Sequence, residues 1–287
     1  METNFTGEQM FSEPVSTATI ELASSFSARP PISHVIFDMD GTLSWLRHGW
    51  PQIMCELFRA HFPVLAGETE KTVHDLLISE ILSLNGRQSI YQMIAFCERV
   101  RKRDGDCPGP DELLHEYQHR LDAVIEERSQ KLLRGETKPD EFVVFGARAF
   151  LEKLRQRGLT LIILSGTIEH RVKHEAALLG LAEFFGKHIY GGTMDHSPFS
   201  KKLVIDRLLR EEAISGNQLL SFGDGPVEIA ETKNVGGLAV AVASDEEENG
   251  SGIADPWKRE QLRKAGADAV MADYRNADEL LKRIFGK

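Results

Sequence analysis

The sequence predicts a doubly wound α/β protein, built on a mainly parallel sheet with an inserted all-helical domain, and three observations carry that expectation. Six short apolar, β-branched runs are spread along the chain: HVIFD (34–38), LTLIILS (159–165), KHIYGG (187–192), LLSFGD (219–224), GLAVAVA (237–243) and ADAVMAD (267–273). Strands buried on both faces read as unbroken apolar runs, and helical crossovers between them require parallel pairing. The stretches between the later runs are helical in pattern, with stops expected at Gly158, Gly186 and Gly216, where a C-terminal glycine would end each helix. Residues 45 to about 140 hold no strand-like run at all.

That middle region reads as four helices, PQIMCELFRAHFPVL, TEKTVHDLLISEILSLNG, RQSIYQMIAFCERVRK and DELLHEYQHRLDAVIEERSQKLLRG. In the last, Leu113, Leu114, Tyr117, Leu121, Val124 and Ile125 follow the i, i+3, i+4, i+7 rule of an amphipathic helix. Asn85-Gly86, the DGDCPGPD stretch at 104–111 and Gly135 separate them. The expected organisation is an N-terminal extension at 1–30, an α/β core made of 31–44 and 141–287, and a helical domain at 45–140 inserted after the first core strand. Within the extension, ATIEL could add an edge strand.

Composition narrows the class. The chain has 287 residues, 41% of them hydrophobic, enough for one large core or a core plus a smaller module. With 44 acidic against 34 basic residues the net charge is −10, which argues against a nucleic-acid or anionic-membrane surface. The first 30 residues have no basic start followed by an apolar run, so no secretory signal is expected. Cys55, Cys97 and Cys107 lack the spacing of a zinc site or a disulfide framework, and a reduced cytoplasm is the expected setting.

In open α/β sheets ligands gather beyond the carboxyl ends of the strands, so the residues there are the candidates for chemistry. The first run ends in Asp38 and Asp40, the second in Ser165, Gly166 and Thr167, and the fourth in Gly223, Asp224, Gly225 and Glu228; Lys201 and Lys202 open the helix after the third. Asp38 and Asp40, two apart in extended chain, face the same side while Met39 turns inward, and Gly41 lets the chain leave the strand. Asp224 adds a third carboxylate. Like charges about 4 Å apart repel by roughly 4 kcal/mol at an effective dielectric near 20, so cations are required. An all-oxygen set without His or Cys suits Mg²⁺, and a lysine supplies the remaining positive charge. Singly, each motif also reads as an ordinary cap or turn. Jointly, each at a strand end, they point to a site.

The stretches FDMDGTL, LSGT, SKK and FGDGPVE resemble the four signature motifs of the haloacid dehalogenase-like superfamily, and a helical insert directly after the first motif resembles its type-one caps. The resemblance spans residues 34 to about 275 and is phosphoglycolate phosphatase-like. It implies a Rossmann-like core in which Asp38 is a nucleophile and Asp40 an acid/base. Ser165 and the backbone N–H of Gly166, at a turn leading into a helix, would hold the phosphoryl group. Lys201 would neutralise charge, and it fits this better than Lys202 because Val204, Ile205 and Leu208 then form one buried stripe. Mg²⁺ would be held by Asp38, Asp224 and the backbone carbonyl of Asp40. Glu228 stands where the fourth motif commonly carries an aspartate, and would reach metal-bound water or pair with Lys201.

What the resemblance implies is a Mg²⁺-dependent phosphatase acting through an aspartyl phosphate on a small phosphorylated metabolite, such as a sugar phosphate or a phosphoglycolate-like compound. It would have no nucleic-acid or membrane partner and would be a monomer or homodimer. A dehalogenase would not need Asp40, and Lys71 and Lys102 show no apolar setting suited to a Schiff base in a phosphonate hydrolase. A phosphomutase keeps both acids and stays open, as does a binding protein that retains only the fold. In the linker SWLRHGW, Arg47 and His48 read equally as substrate contacts and as solvent-facing residues of a packed hinge, with Trp45 and Trp50 lining a pocket in the first case.

Overall fold

The computed structural model describes residues 20–29, 31–85, 87–192, 200–245 and 247–286. Its strands are β1 (Glu21–Leu22), β2 (His34–Phe37), β3 (Thr160–Ile168), β4 (Ile189–Gly192), β5 (Leu219–Gly223), β6 (Leu238–Val242) and β7 (Ala269–Met271). They form one seven-stranded sheet in the order β1-β7-β6-β5-β2-β3-β4. All neighbours are parallel except β1, which pairs antiparallel with β7 through Glu21 and Leu22, the last two residues of ATIEL. Residues 1–19 of the expected extension lie outside the described residues.

The helices are α1 (Trp50–Arg59), α2 (Glu70–Ser83), α3 (Ile90–Arg101), α4 (Pro110–Leu133), α5 (Ala147–Gln156), α6 (Glu169–Leu178), α7 (Ala182–Phe185), α8 (Lys201–Glu211), α9 (Pro226–Asn234), α10 (Pro256–Lys264) and α11 (Ala277–Phe285). Alternation along the strands sorts them to two faces. Val35, Phe37, Leu161, Ile163, Leu220 and Phe222 pack against residues of α5, α6, α7 and α11. On the other face Ile36, Ile162 and Leu164 meet Ile205 and Leu208 of α8, while Ala239 and Ala241 meet Ile229 of α9 and Leu262 of α10. Phe37 and Phe222 stack at 5.0 Å across the β2–β5 pair. The chain moves from β2 outward through β3 and β4, then returns to the other side of β2 with β5, so the sheet changes direction beside β2. A crevice opens at the carboxyl ends where such a reversal occurs.

α1–α4 have their own apolar cluster, with Met54, Leu57 and Phe58, Val73, Leu77 and Ile81, Met93, Phe96 and Val100, and Leu113, Tyr117 and Leu121 as its buried members. The two strands of chain that connect it to the sheet run side by side: Trp45 N donates to Phe142 O at 2.8 Å and Val144 N to Leu43 O at 2.9 Å. Arg128 of α4 closes this junction by donating to the carbonyls of Leu46 and His48 at 2.6 and 2.8 Å.

Two expected helix ends differ. The run expected to stop at Gly186 breaks at Gly180 into α6 and α7, and α8 stops at Glu211, with Ala213 at φ 52, well before Gly216. Gly216 is fixed by a neighbour instead, since a Cβ there would lie 1.6 Å from the Val235 carbonyl oxygen. Sequence alone does not distinguish a helix-ending glycine from one demanded by close backbone approach.

Candidate active site

β2 delivers Asp38 into the crevice because its strand is locked on both sides, with Asp38 N donating to Phe222 O at 3.0 Å. Asp38 Oδ1 accepts from Met39 N at 2.8 Å, and Met39 itself is buried in the core. Asp38 Oδ2 accepts from Lys201 Nζ at 2.9 Å. Lys201 is the first residue of α8 and is buried, whereas Lys202 pairs with Asp206 on the surface. Lys201 Nζ also donates to Glu228 Oε2 at 3.0 Å, while Glu228 Oε1 accepts from Gly225 N at 2.8 Å and so caps α9.

Asp38, Asp224 and Glu228 each offer an oxygen within 4.8 Å of the others. This donor set is hard, all oxygen and mostly buried, which fits a divalent cation of the Mg²⁺ class. Asp224 has a second cation beside it, Lys258 Nζ at 3.1 Å from Oδ2. Buried Lys258 also donates to Ser244 Oγ at 3.2 Å, and Ser244 Oγ donates to Gly41 O at 2.7 Å. The turn after β2 and the end of β5 are thereby braced from behind.

Gly41 is required at that turn. It has φ +71, and a Cβ would fall 2.1 Å from Asp224 Oδ2. Gly41→Ala is expected to destabilise the protein by about 1–3 kcal/mol through the left-handed backbone and to weaken divalent-cation binding by displacing Asp224. Urea unfolding and cation titration check this; unchanged cation affinity would contradict the close approach.

Asp40 has different company. Its Oδ2 accepts from Thr167 Oγ1 at 3.1 Å, and its Oδ1 lies 3.3 Å from Arg47 Nε. The carboxyl is pushed up to about 7, chiefly by burial and also by Glu175 and Asp38, with Arg47 and Thr167 pulling it down. Its carboxylate is not in the acidic cluster found among the described residues. Adjacent acids in contrasting environments are the arrangement that separates roles.

Ser165 is buried, and its Oγ accepts from Thr167 N at 3.1 Å. Gly166 is exposed beside it. The expected turn into a helix is not there: β3 runs on to Ile168 through a shift of register between Leu164 and Ile168, and α6 begins at Glu169. A bulge re-aims backbone and side chains locally, and here it leaves Ser165, Gly166 and Thr167 at the strand's irregular end.

In the linker, Trp45 and His48 stack at 3.9 Å, and the Arg47 side chain, 12% exposed, turns toward the acids and not toward solvent. Arg47 pairs with Glu175 of α6 through Nη2 at 2.5 Å and Nε at 3.2 Å. Burial opposes its charge, but Asp40 and Glu175 outweigh that and hold the guanidinium charged. From the helical domain, Tyr117 lies close enough to Arg47 and Asp40 to sense both charges. Arg171 of α6 makes a two-pronged pair with Asp122 of α4 at 2.5 and 2.9 Å. Glu175 and Lys258 were not legible in sequence as site residues, because each sits among charged residues on a helix that reads as solvent-facing.

Asp38, Asp224 and Glu228 face two ammonium groups, Lys201 and Lys258, which leaves one negative charge to be accounted for. Burial, and then Asp38 and Asp224, push Glu228 up to about 8 against the pull of Lys201, which itself stays protonated between Asp38 and Glu228. The folded value lies above the ordinary 4.5, so the native state keeps a proton that the unfolded chain releases. Stability from this group therefore falls as pH rises across that window, by at most about 1.4 kcal/mol per pH unit. Without metal, Glu228→Gln should gain on wild type between about pH 5 and about pH 8 in urea unfolding; a pH-independent difference would contradict it.

The chain matches the haloacid dehalogenase-like hydrolase family over residues 32–236, more than two thirds of its length, and it belongs to that family. Comparison with curated protein sequences finds no match. Among solved structures, it is similar to a predicted phosphoglycolate phosphatase from Haemophilus somnus, at 12% identity and TM-score 0.59, with 88% of this chain and 98% of that one covered. A haloacid dehalogenase-family hydrolase from Deinococcus radiodurans with bound phosphate and sodium is similar at 18% identity and TM-score 0.57, covering 88% and 96%. A putative β-phosphoglucomutase from Bacteroides vulgatus is similar at 16% identity and TM-score 0.58, covering 90% and 92%. At these identities the likeness shows the shared fold. No helix among the described residues is long and apolar enough to cross a membrane.

Proposed function

We propose that this hydrolase is a Mg²⁺-dependent phosphatase that cleaves a small phosphorylated metabolite through a phosphorylated Asp38. The observation that carries the reading is the pair of neighbouring acids held differently, Asp38 against the Lys201 ammonium and Asp40 between Thr167 and Arg47 with its carboxyl raised to about 7. Asp38 attacks phosphorus while Asp40 gives its proton to the departing alcohol oxygen. Asp40, now ionised, takes a proton from water as that water attacks the aspartyl phosphate, which restores both acids. Ser165 Oγ and the Gly166 N–H hold phosphoryl oxygens, and Lys201 keeps the Asp38 carboxylate and the incoming phosphate from repelling each other. Mg²⁺ would be held by Asp38, Asp224 and the Asp40 carbonyl, with Glu228 in the same acidic cluster, and would supply further neutralisation of the phosphoryl charge.

The helical domain, 45–140, serves in this reading as a cap that excludes water and selects the leaving group, with Arg47 against Asp40. The names of the similar proteins, a phosphoglycolate phosphatase among them, support a small phosphate ester as substrate. Three free cysteines fit a reducing cytoplasm. Steady phosphate release from p-nitrophenyl phosphate with Mg²⁺, lost on chelation, tests the reading; no release from wild type under either condition would refute it. The same two acids serve a phosphomutase, and that second reading would replace the first if turnover required a bisphosphate activator and released no phosphate.

A further inference from the structure

Two thiols that the active site does not use touch each other in the helical domain. Cys97, on α3, and Cys107, in the stretch before α4, have their sulfurs 3.4 Å apart. The local chain explains the approach. After α3, Asp104 adopts φ 55 and Gly105 N donates to Val100 O at 3.1 Å, so the backbone doubles back along the helix it has just left. Arg103 fixes that reversal by pairing with Glu68 at 2.6 and 2.7 Å and donating to Pro63 O at 3.0 Å. Gly105 packs so closely on Pro63 that a Cβ would come within 2.3 Å of it. Cys97 Sγ then reaches Pro108 O at 3.4 Å, and Cys107 is held over it.

We propose that Cys97 and Cys107 are a reversible redox pair that closes to a disulfide on exposure to a hydroperoxide. The sulfurs need to approach by roughly 1.4 Å to reach bonding distance. Cys107 is half-buried and Cys97 buried, so the oxidant meets Cys107 first. Burial, followed by the Cys107 contact, pushes the Cys97 thiol up to about 12, which suits the resolving role better than the attacking one. In the first step the Cys107 thiolate attacks one peroxide oxygen, the O–O bond breaks, hydroxide leaves and a sulfenic acid forms. In the second, Cys97 loses its proton as its sulfur attacks that of Cys107, the S–O bond breaks and water departs. Two thiols and one hydrogen peroxide thus yield one disulfide and two waters, and a small dithiol reverses it. The closed pair would fix the start of α4, the helix that carries Tyr117, Asp122 and Arg128, to α3.

Cys55 provides the internal control, since its sulfur lies 3.5 Å from His74 Nδ1 and belongs to neither partner. Trypsin separates the pair, because Arg99, Arg101, Lys102 and Arg103 lie between them. Full-length protein treated with stoichiometric hydrogen peroxide should lose about 2 Da, give a cross-linked peptide pair containing Cys97 and Cys107, and recover with dithiothreitol. Its Tm should rise by roughly 5 °C on oxidation, as expected for closing a short loop. Cys55→Ser should behave as wild type, and Cys107→Ser should lose the mass change and the cross-link while leaving Cys97 free to be alkylated after unfolding. Peroxide that drives Cys107 to a sulfinic acid while Cys97 stays a free thiol, or that leaves both thiols unmodified, would overturn the proposal.

Discussion

Asp38→Asn should abolish phosphate release, lowering kcat by at least about a thousandfold, because an amide cannot take the phosphoryl group. The fold should survive the change. Asp38 Oδ1 accepts from the neighbouring Met39 N–H, Lys201 keeps Glu228 as a charged partner when the Asp38 carboxylate is lost, and the strand is held by main-chain bonds to β3 and β5. The variant also removes one negative charge from the cluster it forms with Asp224 and Glu228, so divalent-cation affinity should fall as well. Isothermal titration alongside a discontinuous phosphate assay separates the two effects: saturating cation should not restore turnover. Recovery of more than a few per cent of activity at high cation would mean that Asp38 acts only as a ligand.

Asp40→Asn should cost about 10²–10⁴ in kcat for an alkyl phosphate, since it removes the proton donor and later the base. The loss should depend on the leaving group. An alkoxide needs the proton, whereas p-nitrophenolate leaves without it, so the first half-reaction of the aryl ester should persist. Cation affinity should change little, because the Asp40 carboxylate is turned toward Thr167 and Arg47 and away from the acidic cluster. Equal losses for alkyl and aryl esters in the first half-reaction, or a large fall in cation affinity, would count against a proton-carrying role.

The inner strands were legible because each is buried on both faces and therefore reads as an unbroken apolar run, and β2 and β5 end where their acids begin, whereas β3 carries Ser165 within its irregular last stretch. The choice of Lys201 over Lys202 could be made from the stripe of Val204, Ile205 and Leu208, because a helix that buries one face has only one phase. Less visible were features set by contacts far apart in sequence. The register shift in β3 depends on its pairing with β4, and Gly216 answers to the backbone of Val235. Arg47 could be singled out by its place in the linker, but its burial against Glu175 required knowing that α6 passes beside it. Lys258 is harder still, since WKREQLRK looks like a wet helix until Asp224 is placed against its first turn.

If Asp38 carries the phosphoryl group and Asp40 moves the proton, one measurement addresses both roles at once. Asp40→Asn mixed with excess p-nitrophenyl phosphate and Mg²⁺, quenched in acid and analysed by intact and peptide mass spectrometry, should release about one equivalent of p-nitrophenol and then stall. The protein should be about 80 Da heavier, with the added mass on the peptide containing Asp38. A stalled burst with no added mass, or added mass on any other residue, would contradict the account.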